Sequence, residues 1–329
     1  MKKIRYGIIG FGDFAERKIM PAIQKSENSE LVAIQKRSLD AAKEKAKHYN
    51  IPLYFGSAEK LSASPEVDAV FIVSANSAHH AETLASARTG KHVLVEKPIA
   101  MSFQEGKEMV DACKKAGVKF MVAHMPRFSP LLHRMAEIVS SGALGEITFA
   151  RAEFVYDARN SQRSWIWDKK IAGGGPLFDI AVHCLDSLRC VLNDNVAVVQ
   201  SMNRLSSNAD EVEKTNLLSL RFERGTIATI YTSFEAPNYQ TMLEVIGTEG
   251  SISAHDFTLS DFPVTLTVKN CKKGQVDEVR KIKFHVPDLY ELETTHFSDC
   301  ILHNREPLVT NESSLHNQQI LDLALAKSI

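Results

Sequence analysis

Cysteine is scarce in this chain, and what there is lies scattered. Five cysteines, at 113, 184, 190, 271 and 300, form an odd set without paired spacing. That excludes a disulfide framework and a zinc-finger type of site, and it fits reduced thiols in a cytoplasmic protein; no metal is expected. Long apolar runs are lacking too. None approaches the roughly 20 residues a membrane-spanning helix needs. The start, Met1-Lys2-Lys3-Ile4-Arg5-Tyr6-Gly7-Ile8-Ile9-Gly10, has the lysines of a signal peptide, but glycines interrupt a short apolar stretch, so it reads as a first β-strand. Charge of one sign is also missing. The formal net charge is −1, which provides no electrostatic footprint for nucleic acid or an anionic membrane. There is no internal repeat and no low-complexity segment.

What is present has two rhythms over 329 residues, a length that fits about two domains. Up to residue 123, short apolar strands (Arg5–Gly10, Leu31–Ile34, Ala69–Val73, His92–Val95, Lys119–Ala123) alternate with helical patterns at Ala41–Asn50, Ala78–Thr89 and Phe103–Ala116. That alternation predicts βαβ units, hence an α/β fold with a doubly wound parallel sheet. Residues 124–310 instead carry strand-like segments at Glu146–Tyr156, Val196–Asn203, Lys214–Phe222, Thr226–Phe234, Thr241–Ile246, Val264–Val268 and Val279–Phe284. They predict an open, mainly antiparallel sheet with a helix over 177–191 on one face. A last helix, Asn311–Lys327 within a closing segment 311–329, is expected to pack back on the first domain.

Three motifs carry chemistry. The first strand runs into Gly10-Phe11-Gly12-Asp13-Phe14-Ala15, a G-x-G-x-x-A turn that opens a helix. Its first glycine permits the turn, its second lets the backbone approach a pyrophosphate, and the small third residue lets helix and strand pack closely. At the end of the second strand, where an acid would hold a ribose 2′-hydroxyl, stand Gln35-Lys36-Arg37-Ser38. Lys36, Arg37 and Ser38 favour a 2′-phosphate, and so NADP(H) over NAD(H).

The second motif is Glu96-Lys97-Pro98. A residue before proline is pushed out of helical geometry, so Lys97 leaves the strand at its carboxyl end, where parallel sheets bind ligands. The third is Gly173-Gly174-Gly175-Pro176-Leu177-Phe178-Asp179-Ile180-Ala181-Val182-His183-Cys184-Leu185-Asp186. Asp179 and His183 stand four apart on one helical face that Asp186 extends. The pair reads either as a proton-transfer site or as a structural hydrogen bond. Just upstream, Trp165, Trp167 and Asp168 suit a polyhydroxylated ligand, or are core tryptophans near a domain junction; Tyr156, Arg159 and Arg163 are near in sequence.

These motifs, in this order, together with Met20-Pro21-Ala22-Ile23, Arg127-Phe128 and Gly142-x-x-Gly145-Glu146-Ile147, make the chain resemble the Gfo/Idh/MocA oxidoreductases almost end to end. The resemblance implies a Rossmann domain followed by an α/β domain whose open sheet forms homodimer or homotetramer interfaces. It implies that Lys97, Asp179 and His183 meet at the nicotinamide, with Pro98 in a turn that is often cis in relatives. It further implies that Ser74, Asn76, His79, Glu96 and Arg127 contact the cofactor. The expected reaction is hydride transfer between NADP(H) and a sugar, polyol or related cyclic hydroxy compound, with His183 as acid/base oriented by Asp179 and Lys97 on the reacting oxygen, or with those two roles exchanged. The alternatives are a non-catalytic NADP(H) sensor of the same fold and an enzyme that retains and recycles its NAD(P).

Overall fold

The computed structural model describes residues 2–272 and 274–326. The chain forms two compact units, one built from residues up to Met125 with Tyr290–Gln318, the other from Pro126–Leu289 and the residues from Gln319 on.

The first unit is built on six parallel strands: β1 (Ile4–Ile9), β2 (Ser29–Gln35), β3 (Leu53–Phe55), β4 (Ala69–Ile72), β5 (His92–Glu96) and β6 (Phe120–Ala123). Their order is β3-β2-β1-β4-β5-β6. Valine and isoleucine dominate β1, β4 and β5 and are buried on both faces, as a sheet covered on both sides requires. The order reverses between β1 and β4, which pair directly, and beyond the carboxyl ends of such strands a doubly wound sheet binds its ligand. Helices Leu39–Tyr49 and Phe103–Ala116 are started by Ser38 and Ser102, whose hydroxyls accept the N–H groups of Ala41 and Glu105. The first helix begins with one π-turn, Ala15–Ile19, before Met20–Lys25.

The elements of this unit absent from the sequence reading are short or polar. β3 has three residues and helix Ala58–Ser62 five, too few to show a period. Helix Leu289–Leu302 is long, but its buried face carries Glu293, Thr294 and Ser298, so no apolar stripe marks it. It is tied to the sheet by polar contacts: Tyr6 Oη to Ser298 Oγ at 2.8 Å, and Asn28 Nδ2 donating to Asp299 Oδ1 at 2.9 Å.

The second unit is an eight-stranded sheet of β7 (Ile147–Asp157), β8 (Val196–Arg204), β9 (Thr215–Phe222), β10 (Ile227–Ser233), β11 (Glu235–Gly247), β12 (Gly250–His255), β13 (Phe262–Lys272) and β14 (Gln275–Val286). Its order is β14-β13-β12-β11-β7-β10-β9-β8, antiparallel throughout except between β7 and β10. The strand expected at Thr241–Ile246 is the second half of β11; a register shift between Glu235 and Gln240 hides the first half, and β12 follows it unforeseen. The helix expected over 177–191 opens as a π-turn, Leu177–Ala181, and continues as Val182–Leu192 against β7. The last helix is Asn311–Ala326; Lys327, expected as its end, lies outside the described residues.

Candidate active-site residues

The glycine turn after β1 is dictated by its neighbours. Gly10 has φ +82°, and a Cβ there would lie 2.7 Å from the backbone of Ser74 on the adjoining strand's exit. Gly12 has a different reason: a Cβ would meet only the Gly10 carbonyl, at 3.9 Å. Protein packing does not demand glycine at 12, whereas a pyrophosphate resting on the backbone would. Ala15, fully buried, supplies the small third position. β2 braces the turn, since Gly10 N–H donates to the Gln35 side chain at 3.0 Å and Phe11 N–H to the Gln35 carbonyl at 2.9 Å. Phe11 is buried edge-on to Tyr49, Phe14 lies edge-on to Tyr290, and exposed Asp13 pairs with Arg17 one turn along. A dinucleotide fits this turn.

The basic pair divides. Lys36 Nζ donates to the Phe11 carbonyl at 2.6 Å, and burial lowers its pKa, so its ammonium frames the turn. Arg37 is exposed, and Ser38 is exposed at the head of its helix.

At the end of β4, Ser74 Oγ donates to Glu82 at 2.5 Å, and desolvation lifts the Glu82 pKa to about 7. Asn76 is buried in the turn Asn76–Ala78. His79, expected at the cofactor, is fully buried and has no surface for a ligand. Its Nδ1 lies 3.0 Å from the Pro98 carbonyl and its Nε2 3.2 Å from that of Ser74, while burial drives its pKa down to about 4. The neutral imidazole has one N–H, so it donates to only one of these two carbonyls, that of the β4 exit or that of the turn after β5, and packs against the other. In that turn Lys97 is half-buried, its backbone N–H donates to Glu96 Oε2 at 3.3 Å, and the Lys97–Pro98 peptide is cis.

In the second unit the glycine-led helix carries the acid and the imidazole. The Asp179 carboxylate accepts Tyr156 Oη at 2.9 Å and both terminal nitrogens of Arg163 at 3.0 Å. The His183 ring leans on Phe154, centroids 6.0 Å apart. Asp186 does not continue this group: it is buried in a two-pronged pair with Arg127, both bonds at 2.8 Å. The guanidinium of Arg127, expected at the cofactor, is thus engaged with Asp186 in the second unit. Trp167 packs edge-on against Phe234, and the Arg163 guanidinium stands 6.0 Å from the Trp165 ring. Asp168 caps the next helix through Lys170 N–H, and Arg159 pairs with Asp157.

The glycines have a cause that sequence spacing did not reveal. A Cβ on Gly175 would lie 2.1 Å from the Glu213 carbonyl, and the buried Glu213 carboxylate accepts Gly175 N–H at 2.9 and 3.0 Å and Leu177 N–H at 2.9 Å. An internal carboxylate therefore occupies the amide end of the helix that carries Asp179 and His183, and Gly175 serves close approach to Glu213, whereas a Cβ on Gly174 would strike the Phe178 ring at 2.7 Å and Gly173 has φ +81°. Among the described residues, no group of three or more His, Cys, Asp or Glu side chains is arranged to hold a metal, and no helix is long and apolar enough to cross a membrane.

Comparison with known proteins extends over nearly the whole chain. Residues 4–124 match the model of an oxidoreductase family with an NAD-binding Rossmann fold, and residues 132–253 match the GFO/IDH/MocA C-terminal domain. The chain is 31% identical over 313 residues to a 1,5-anhydro-D-fructose reductase of Ensifer adhaerens, covering 94% of this chain and 92% of that protein. It is 28% identical over 317 residues to D-xylose 1-dehydrogenase (NADP(+)) 2 of Haloferax volcanii, covering 96% and 95%. Among solved structures, the aldose-aldose oxidoreductase from Caulobacter crescentus complexed with glycerol superimposes with a TM-score of 0.88 at 25% identity, covering 99% of this chain and 97% of that one.

Proposed function

The chain belongs to the GFO/IDH/MocA family of NAD(P)-dependent oxidoreductases, and from that premise we propose that it interconverts a secondary alcohol and a carbonyl on a sugar, polyol or related cyclic hydroxy compound, with NADP(H) as its cofactor. The nicotinamide, when bound, supplies the hydride acceptor or donor. The turn Gly10, Phe11, Gly12, Asp13 and Phe14 offers the backbone and helix amides that hold a pyrophosphate. Arg37 and Ser38 read the 2′-phosphate, a guanidinium and a hydroxyl at the exposed head of a helix. Ser74, Asn76 and Glu96 flank the same strand ends.

On the reacting oxygen, the Lys97 ammonium donates a hydrogen bond and stabilises negative charge as it develops. His183 exchanges the hydroxyl proton, a contribution worth about 10²–10⁴-fold. Asp179, held by Tyr156 and Arg163, fixes the helix start from which His183 projects, and Trp165 and Trp167 present aromatic surface for the C–H faces of a sugar. The observation that carries the reading is the room above Gly12, which protein packing leaves open and a dinucleotide needs. The relatives' substrates, an anhydro-ketose and an aldose, support a carbohydrate, and the Haloferax enzyme's NADP supports the cofactor. Five free thiols agree with a cytoplasmic setting.

The outer face of the second sheet supports self-association. The register places Met202 of β8, Leu217 of β9 and Tyr231 of β10 in one row, and all three are exposed. A panel of aldoses, ketoses, polyols and dicarbonyls, followed by nicotinamide absorbance with each cofactor, tests the activity. Turnover faster with NADP(H) than with NAD(H) is expected; an inactive panel with both cofactors would overturn it.

A further inference from the structure

Two buried glutamates hold opposite positions in hydrogen-bonding terms. Glu213 is supplied with amide donors, which offset part of the burial that raises its pKa. Glu293, on helix Leu289–Leu302, is wholly buried, and neither of its carboxyl oxygens has a hydrogen-bond partner among the described residues. An ionised carboxylate without donors in such a place is far costlier than the neutral acid, so the group keeps its proton. The groups that face it act in the same direction. Glu96, at the end of β5 and nearly buried itself, acts on it as a like charge. From β1, Tyr6 lies near enough to feel it, with its hydroxyl committed to Ser298. Burial first, and Glu96 second, raise the Glu293 pKa well above the ordinary carboxyl range.

We propose that Glu293 is held as the neutral acid in this interior, and that by its shape and by adding no second negative charge to that of Glu96 it positions the Glu96-Lys97-Pro98 turn. Glu96 is the acceptor of the Lys97 backbone N–H, so its charge and placement bear on where Lys97 leaves the strand. Glu293 touches no ligand, being closed off from solvent; it is a positioning residue. Its protonation stands apart from the proposed function, whereas its effect through Lys97 rests on that reading.

Glu293→Gln keeps the shape and the neutrality of the acid, and Glu293→Leu keeps only neutrality. A carboxyl whose folded pKa is raised contributes nothing adverse at low pH, and lowers stability as pH climbs from its unfolded pKa towards its folded one. The melting temperature of Glu293→Gln is therefore expected near that of the native protein at about pH 5, and a few degrees above it at about pH 8. A difference that does not grow with pH, or a Gln variant less stable than the native protein at the higher pH, would overturn the assignment. Infrared difference spectra give a second readout: a protonated-carboxyl C=O band at neutral pH, lost in Glu293→Gln, is expected, and its absence from the native protein contradicts the proposal. In turnover, Glu293→Leu should lower kcat about tenfold with little change in KM, and Glu293→Gln should restore it. Equal losses in both variants refute the positioning role. A protein that turns over nothing, yet shows the infrared band, refutes the proposed function and the effect through Lys97 while the protonation stands.

Discussion

His79 and Glu82 stand within one turn of the same helix and titrate in opposite senses. His79, neutral because burial holds its pKa near about 4, must be charged once the chain unfolds in acid, so it costs stability as pH falls from about 6.5 to about 4. Glu82, pushed up to about 7, costs stability as pH rises from about 4.5 to about 7. Each accounts for up to about 3 kcal/mol across its window. Urea midpoints measured against pH should show His79→Asn removing part of the acid loss and Glu82→Gln removing part of the loss toward neutrality; parallel curves for native and variant proteins would refute either assignment. At the cofactor end, Arg37→Ala is expected to weaken NADPH binding by about tenfold or more and to leave NADH affinity nearly unchanged, measured by fluorescence titration. Residue types were legible here where partners were not. Lys36 and Arg37 look alike as neighbours in sequence, and the carbonyl of Phe11, 25 residues away, gives them different surroundings.

The element that matters most is the helix opened by three glycines. Its last glycine is required by Glu213, 38 positions downstream, whose carboxylate takes the amides of Gly175 and Leu177. Glu213→Ala leaves those two donors buried without an acceptor and should cost about 1–3 kcal/mol for each, seen as a lowered melting temperature. Gly175→Ala should be at least as damaging, since the added carbon falls 2.1 Å from the Glu213 carbonyl, inside contact distance. Normal melting of both variants would contradict this account of the glycines. The helix itself was readable from Pro176 and the apolar run, and Asp179 and His183 were readable on it. The π-turn at Leu177–Ala181 was not, and with Asp186 drawn to Arg127 the single polar face expected from fourfold spacing does not extend to that residue. The same logic separates the elements elsewhere. Strands β1, β4 and β5 announce themselves because both faces are apolar, whereas helix Leu289–Leu302 buries glutamate, threonine and serine and leaves no period to find.

For the whole molecule, the alternation of strand and helix was enough to predict a doubly wound sheet, and the order β3-β2-β1-β4-β5-β6 is that sheet. The second sheet's strands were legible where burial alternates, as in β9, and lost where a bulge breaks the alternation in β11. Alternation also exposes the row of Met202, Leu217 and Tyr231, and sedimentation should show Tyr231→Asp shifting an oligomer toward the monomer while each unit stays folded; a native protein that is monomeric at micromolar concentration would refute the interface. The central claim is that the protein reduces or forms a carbohydrate carbonyl with NADP(H). It is tested most directly by mass spectrometry of the product formed from a carbonyl sugar and NADPH carrying deuterium at both C4 positions. The account predicts one deuterium on the new carbinol carbon with the native protein, and product formation lowered at least about 10²-fold in Lys97→Met and in His183→Ala. Unlabelled product, or full activity in both variants, would contradict it.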